Sequence, residues 1–258
     1  MRLIMLRHIP HSVILLMILI LTAHRSDAQR QILNNHHAWY NYFGNHRIRE
    51  KWGVHTEIQL RRANWLPQTQ QTLARIGIDY RLNDHLMITT GYAWIYTDRY
   101  GKLPATKAYQ ENRSWQQIHL IQQLSKITLQ HRYRLEQRWV EAFSSDTTPA
   151  QTIYSNRIRY RFQTLIPLNN QKIELNTWFV ALNNEVWINF GKNIKYNIYD
   201  QNRAYAGIGY QFSKSGNAQV GYLHQAIFKA DGVRIESNHT LQVAITYNID
   251  LRKSNSKN

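Results

Sequence analysis

Residues 131–139 read His-Arg-Tyr-Arg-Leu-Glu-Gln-Arg-Trp, and residues 157–162 read Arg-Ile-Arg-Tyr-Arg-Phe. In the first stretch Tyr133, Leu135 and Trp139 share one parity, and Arg132, Arg134, Glu136 and Arg138 share the other. In the second, Ile158, Tyr160 and Phe162 alternate with Arg157, Arg159 and Arg161. Successive side chains of a β-strand point to opposite faces, so a period of two marks a strand whose faces meet unlike surroundings. A helix would scatter both sets around its circumference.

The same rhythm extends outward in both directions. Trp52–Arg61 sets Val54, Thr56, Ile58 and Leu60 against Glu57, Gln59 and Arg61. Ala74–Leu82, Leu86–Tyr96 and Leu241–Ile249 repeat it. Eleven segments carry the pattern: 36–48, 50–64, 70–82, 85–98, 112–124, 126–141, 152–166, 171–188, 203–213, 216–229 and 236–250. Most exceed the roughly 5–6 residues usual in globular strands and reach the roughly 9–11 that a tilted strand needs to cross a bilayer. Short turns at Asn83-Asp84, Ser125-Lys126, Asn169-Asn170 and 213–216 alternate with longer loops at 65–70, 99–111, 142–151, 189–202 and 230–235. Short turns at one end and long loops at the other are the pattern of an outer-membrane barrel.

The expected fold is therefore all-β, an antiparallel transmembrane β-barrel of about 10–12 strands. Single-chain bacterial barrels have even strand numbers, so eleven segments leave ten or twelve. Either 36–48 lies outside a ten-stranded wall, or Gln171–Gly191 hides a turn at Asn183-Asn184.

Alternation alone does not separate a lipid-facing wall from a soluble sandwich or barrel with an apolar core. Three features favour lipid. Arg-rich faces on consecutive segments can pair with Glu57, Asp79, Glu136 and Glu185 in a polar lumen. Aromatic residues gather near segment ends, at Trp39, Tyr40, Tyr42 and Phe43, at Trp94, Tyr96 and Tyr100, at Trp139 and Phe143, and at Trp187 and Phe190, where interfacial girdles sit. The third feature is the alternation of loop lengths.

At the N-terminus, Arg2 and Arg7 precede the apolar run Val13–Leu21, and Ser26-Asp27-Ala28 offers a cleavage site. Residues 1–28 are expected to be a signal peptide and 29–258 a single barrel domain, with 251–258 a frayed polar tail. The absence of Cys excludes disulfides, thiolate metal sites, a Cys nucleophile and a lipid-bearing Cys at the cleavage site. The net charge of +16 becomes +14 without the leader. An exported chain rarely meets nucleic acid, so the expected partners are outer-membrane lipid and a small or anionic ligand.

Arg132, Arg134, Glu136, Arg138, Arg157, Arg159, Arg161, Glu185 and Arg203 are the candidate site residues, first as an interior charge network and second as ligand contacts. His119, His131, His224 and His239, with Ser114, Ser155 and Ser237, contain no spacing that marks a Ser-His pair, and no catalytic residue is assigned. His36 and His37, with His46 and His55, match no metal-ligand spacing, and adjacent residues of a strand diverge. No metal or cofactor is expected.

The series Trp39, Trp52–Arg61, Arg75–Tyr80, Gly91-Tyr92, Glu111–Gln116, His131–Trp139, Arg157–Tyr160, Asn184–Trp187, Asp200–Arg203 and Gly221-Tyr222 resembles, in order, the domain-of-unknown-function family numbered 2490. That resemblance implies an exported protein of outer-membrane barrel type and brings no catalytic residues. The expected role is structural, or passage or binding of a small or anionic compound. A lipid-modifying outer-membrane enzyme and a soluble periplasmic binding barrel are the alternatives.

Overall fold

The structure, a computed structural model, describes residues 30–252; the expected leader lies outside them, as does the tail beyond Arg252. The described residues form eleven strands and no helix: β1 (Gln31–Arg47), β2 (Trp52–Ala63), β3 (Gln68–Arg81), β4 (Leu86–Thr97), β5 (Tyr109–Leu124), β6 (Ile127–Ala142), β7 (Gln151–Pro167), β8 (Thr177–Phe190), β9 (Tyr199–Gln211), β10 (Gly216–Phe228) and β11 (Arg234–Tyr247). Each pairs antiparallel with the next, and β1 pairs with β11 to close the barrel.

That closure corrects the parity argument. An up-and-down wall of odd number leaves its first and last strands running the same way, and here they pair in parallel, from Gln31↔Arg234 to Phe43↔Thr246. The strand at 36–48 is thus part of the wall, and Asn183-Asn184 lies inside β8 rather than in a turn. The seam is the one departure from an all-antiparallel barrel.

The connections at residues 48–51, 82–85, 125–126, 168–176 and 212–215 share the turn end, and those at 64–67, 98–108, 143–150, 191–198 and 229–233 share the loop end. At 82–85 the Asn83 Oδ1 accepts from the amides of His85 and Leu86, each at 2.9 Å. The connection at 168–176 is longer than the expected Asn169-Asn170 turn, and its Ile173 packs against the buried cluster formed by Trp39, Phe179, Ala181, Tyr205 and Leu223.

Polar and charged parity faces inward. Glu57, Arg75, Asp79, Glu111, Arg134, Glu136 and Arg157 are buried, while Ile58, Leu60, Ile76, Ile78, Leu135, Ile158, Leu182 and Ile208 are exposed on the outside. Aromatic contacts ring both outer rims. Trp52–Tyr80 and Trp178–Tyr210, each with centroids 4.8 Å apart, lie at the turn end. Trp139–Tyr154 at 5.4 Å and Tyr199–Phe228 at 4.9 Å lie at the loop end.

Trp39 and Trp187, expected in the girdles, instead point into the lumen, 1% and 3% exposed. Each shares the parity of inward polar neighbours, Trp39 with His37 and Asn41, and Trp187 with Glu185 and Asn189. Parity within a strand outranks nearness to its end.

Candidate functional site

The lumen is organised around Glu136. Its carboxylate is fully buried. Oε2 accepts from Arg157 Nε at 3.0 Å and Nη2 at 2.6 Å, and Oε1 accepts from Arg159 Nη1 at 2.7 Å. Arg75, Arg113 and Arg134 also come within 3.7–3.9 Å. Register explains the convergence: Glu136 faces Arg157 across β6–β7, and one step on Arg134 faces Arg159. Like charges directly opposite repel, so a shared carboxylate is needed beside them.

Three further carboxylates work the same way. Glu185 Oε1 accepts from Arg132 Nη2 at 2.7 Å and from Arg159 Nη2 at 2.8 Å. Glu111 is gripped in fork fashion by Arg113, at 2.6 and 2.8 Å, and by Arg138, at 2.5 and 3.3 Å. Glu57 pairs with Arg75. Charge-assisted contacts of this kind, bidentate at Glu111, are the strong class of hydrogen bond.

Tryptophan rings carry the remaining guanidinium faces. Trp187 lies 3.7 Å from Arg159, 4.2 Å from Arg157 and 4.1 Å from Arg203, measured from Cζ to ring centroid. Trp39 takes Arg61 at 4.0 Å and Arg203 at 5.0 Å, and Trp115 takes Arg134 at 4.8 Å. A cation over an indole face is favoured by the ring quadrupole, most strongly when water is excluded. Gly77 and Gly91, opposite each other, clear the wall for Trp115; a Cβ on either would lie 2.9 Å from its Cζ2.

Two β-bulges re-aim polar groups inward. At the break between Trp187↔Gln201 and Ile188↔Tyr199 the extra residue is Asp200, whose Oδ2 accepts from Arg157 Nη1 at 2.9 Å. At the break between Arg61↔Gln71 and Arg62↔Thr69 it is Gln70, which accepts from Trp39 Nε1 at 2.8 Å.

Of the nine residues singled out from sequence, Arg132, Arg134, Glu136, Arg138, Arg157, Arg159 and Glu185 have an oppositely charged group within 4 Å. Arg161 and Arg203 have none among the described residues; Arg203 is held between Trp39 and Trp187. Asp79 accepts from Thr89 at 2.7 Å and Asn45 at 2.8 Å instead of an Arg. Sequence reasoning missed Arg75, Glu111, Arg113, Asp200 and Trp115. All but Asp200 carry the inward parity of their strands, which is the signal that was available.

Among the described residues the lumen holds a cavity of about 260 Å³ at the loop end and another of about 370 Å³ at the turn end. Both are bounded by Glu57, Arg159 and Arg203. Arg157 borders the loop-end cavity and Arg134 the turn-end one, and both, with Glu136, are at most 1% exposed. A water-filled channel would wet these groups; here the middle of the lumen is packed.

On the outer wall His224 Nε2 and Ser237 Oγ lie 2.9 Å apart, and Tyr222 contacts His239 Nδ1 at 2.6 Å. His36 is exposed and His37 buried, on opposite faces of β1.

A model of the family described as "Protein of unknown function (DUF2490)" matches residues 36–236. An uncharacterized protein of Methylorubrum extorquens is 28% identical over 196 residues, covering 74% of this chain and 79% of that one. No solved structure matches.

Proposed function

The chain belongs to the DUF2490 family, and on that footing we propose that it is a β-barrel of a Gram-negative outer membrane, exported behind a cleaved signal peptide. Its lumen is closed by ion pairs, and its role is structural or the binding of a small anionic compound rather than open diffusion. The observation that carries this reading is the inverted distribution of polarity. Aliphatic side chains such as Ile76, Ile78 and Ile208 cover the outside, while Glu136 and Arg134 are buried within. Water as the outer solvent would favour the reverse, because exposed apolar area costs about 25 cal/mol per Å². Lipid is the partner that this surface fits, with the two aromatic rims at the headgroup level.

The test is fractionation of expressing cells, followed by gel mobility of the membrane pool with and without boiling. Retention in the outer membrane with faster migration unboiled is expected. Release by osmotic shock, without a mobility shift, would overturn the lipid-facing assignment and favour a soluble periplasmic barrel.

The outward-facing contact of His224 with Ser237 favours a second reading, a lipid-modifying enzyme. A His that hydrogen-bonds a Ser hydroxyl can act as its base in acyl transfer. Ester hydrolysis by the folded protein, abolished in Ser237→Ala, would support it; hydrolysis that is absent or unchanged in that variant would remove it.

A further inference from the structure

The turn-end cavity is lined unequally. Arg81, Met87, His119, Arg132 and Arg161 are successive cross-strand partners on β3, β4, β5, β6 and β7. They form one row on the inner wall, in which only Met87 lacks a nitrogen donor, and all five line the cavity. Adjacent strands are roughly 4.8 Å apart, so the row bends around the concave wall and its side chains converge.

The compensating charge is missing. Among the described residues no carboxylate lies within 4 Å of Arg81 or Arg161, and neither side chain donates a hydrogen bond. Glu185, at the end of the row, is already engaged by Arg132 and Arg159. Buried nitrogens of Arg81, Arg132, Arg134, Arg161 and His119 are left without acceptors. Arg134 is 1% exposed. Elsewhere in the same lumen Arg113, Arg138 and Arg157 are matched by Glu111, Glu136 and Asp200. Arg81 and Arg161 are half-buried, each with a buried Nε that has no acceptor among the described residues; leaving such groups unmatched on one wall is costly, and an anion bound there removes that cost.

We propose that the turn-end cavity binds a small, multiply charged oxyanion of the phosphate class, held by Arg81, Arg132, Arg161 and His119. Arginine forks match the paired oxygens of phosphate geometrically, and a cavity of about 370 Å³ accommodates such a group with room for a substituent. The shared chemistry is the phosphate group, whether free or at the head of a lipid. This deepens the binding role proposed above and rests on the closed barrel.

The test is calorimetric titration of the detergent-purified full chain with inorganic phosphate, at constant chloride, after its location and heat-dependent mobility have been recorded. Saturable binding is expected. Arg161→Gln should weaken it about ten- to a hundredfold, the worth of a charge-assisted hydrogen bond, and Lys214→Gln at the exposed turn end should not. Arg161→Gln should also raise the melting temperature without phosphate, because it removes a half-buried cation that has no carboxylate partner among the described residues. Should that variant fail to reach the fast-migrating form, Arg81→Gln, which strands no partner, replaces it. A short-chain phosphatidic acid, whose phosphomonoester can carry two charges, that displaces phosphate identifies a headgroup as the natural source; failure to displace identifies a free anion. Absent saturable binding, or equal affinity in wild type and the variant, overturns the site. A heat-modifiable outer-membrane barrel without phosphate binding would sink this site alone, and phosphate binding by an osmotically released protein would sink the membrane reading alone.

Discussion

Arg157 donates two hydrogen bonds to one oxygen of Glu136, from Nε at 3.0 Å and Nη2 at 2.6 Å, across the β6–β7 pair. Arg159 takes the other oxygen at 2.7 Å. One carboxylate thereby offsets the repulsion between two arginines on the same face of β7.

Glu136→Gln should be strongly destabilising. It removes the buried carboxylate that Arg157 and Arg159 share, leaving them, among the described residues, only Asp200 and Glu185 as carboxylate partners, and loss of one member of a buried ion pair costs about 3–5 kcal/mol. The temperature at which the folded band is lost on gels should fall markedly, while Glu50→Gln at an exposed turn should leave it unchanged. An unaltered midpoint in Glu136→Gln would show that the network does not hold the barrel.

Gly91→Ala should also destabilise. Its Cβ would sit 2.2 Å from the Ile76 carbonyl oxygen and 2.9 Å from Trp115, and overpacking of this kind costs about 1–3 kcal/mol. Combining it with Trp115→Leu should recover part of the loss, which a double-mutant cycle in urea would measure.

The outer wall gives a sign test between lipid and water. Ile76 and Leu135, near the middle of β3 and β6, are 59% and 36% exposed on the outside. Arg in place of either should cost about 2–4 kcal/mol near a bilayer midplane. On a water-facing wall the same change would be neutral or would raise solubility. Unfolding in lipid vesicles distinguishes the two.

Acid should loosen the β10–β11 loop. Asp231 accepts from the amides of Val233 and Arg234, each at 2.9 Å, and from the Arg234 side chain. Those bonds lower its pKa to about 2, below the roughly 3.9 of an unfolded Asp. The stabilisation is present above about pH 4 and is lost as pH falls through about 2. Amide exchange at Val233 and Arg234, corrected for intrinsic rate, should rise over that window, and Asp231→Asn should flatten the dependence.

Much of this was legible in the sequence. Period two at 131–139 and 157–162 identifies strands, and a charge on one parity assigns every other side chain of that strand to the same face. Arg132, Arg134, Glu136 and Arg138 fall together for that reason alone, as do Trp115 with Glu111 and Arg113. Alternation is a local property of the pleat, so it survives without knowledge of neighbours.

Strand number, closure and partner choice are not local. The parallel seam of β1 with β11 depends on how eleven registers accumulate around the wall. Asp200 lies on the wrong parity for the lumen and is turned inward only by the bulge opposite Trp187 and Ile188. Arg161 belongs to the same ladder as Arg157 and Arg159 and lies opposite Glu185 across β7–β8, yet among the described residues it has no carboxylate within 4 Å, because Glu185 turns to Arg132 and Arg159 instead. Local alternation sorts most side chains between lumen and outer face, the bulged Asp200 excepted; which of them meet belongs to the fold, since the distance between two inward charges depends on registers summed over the strands between them.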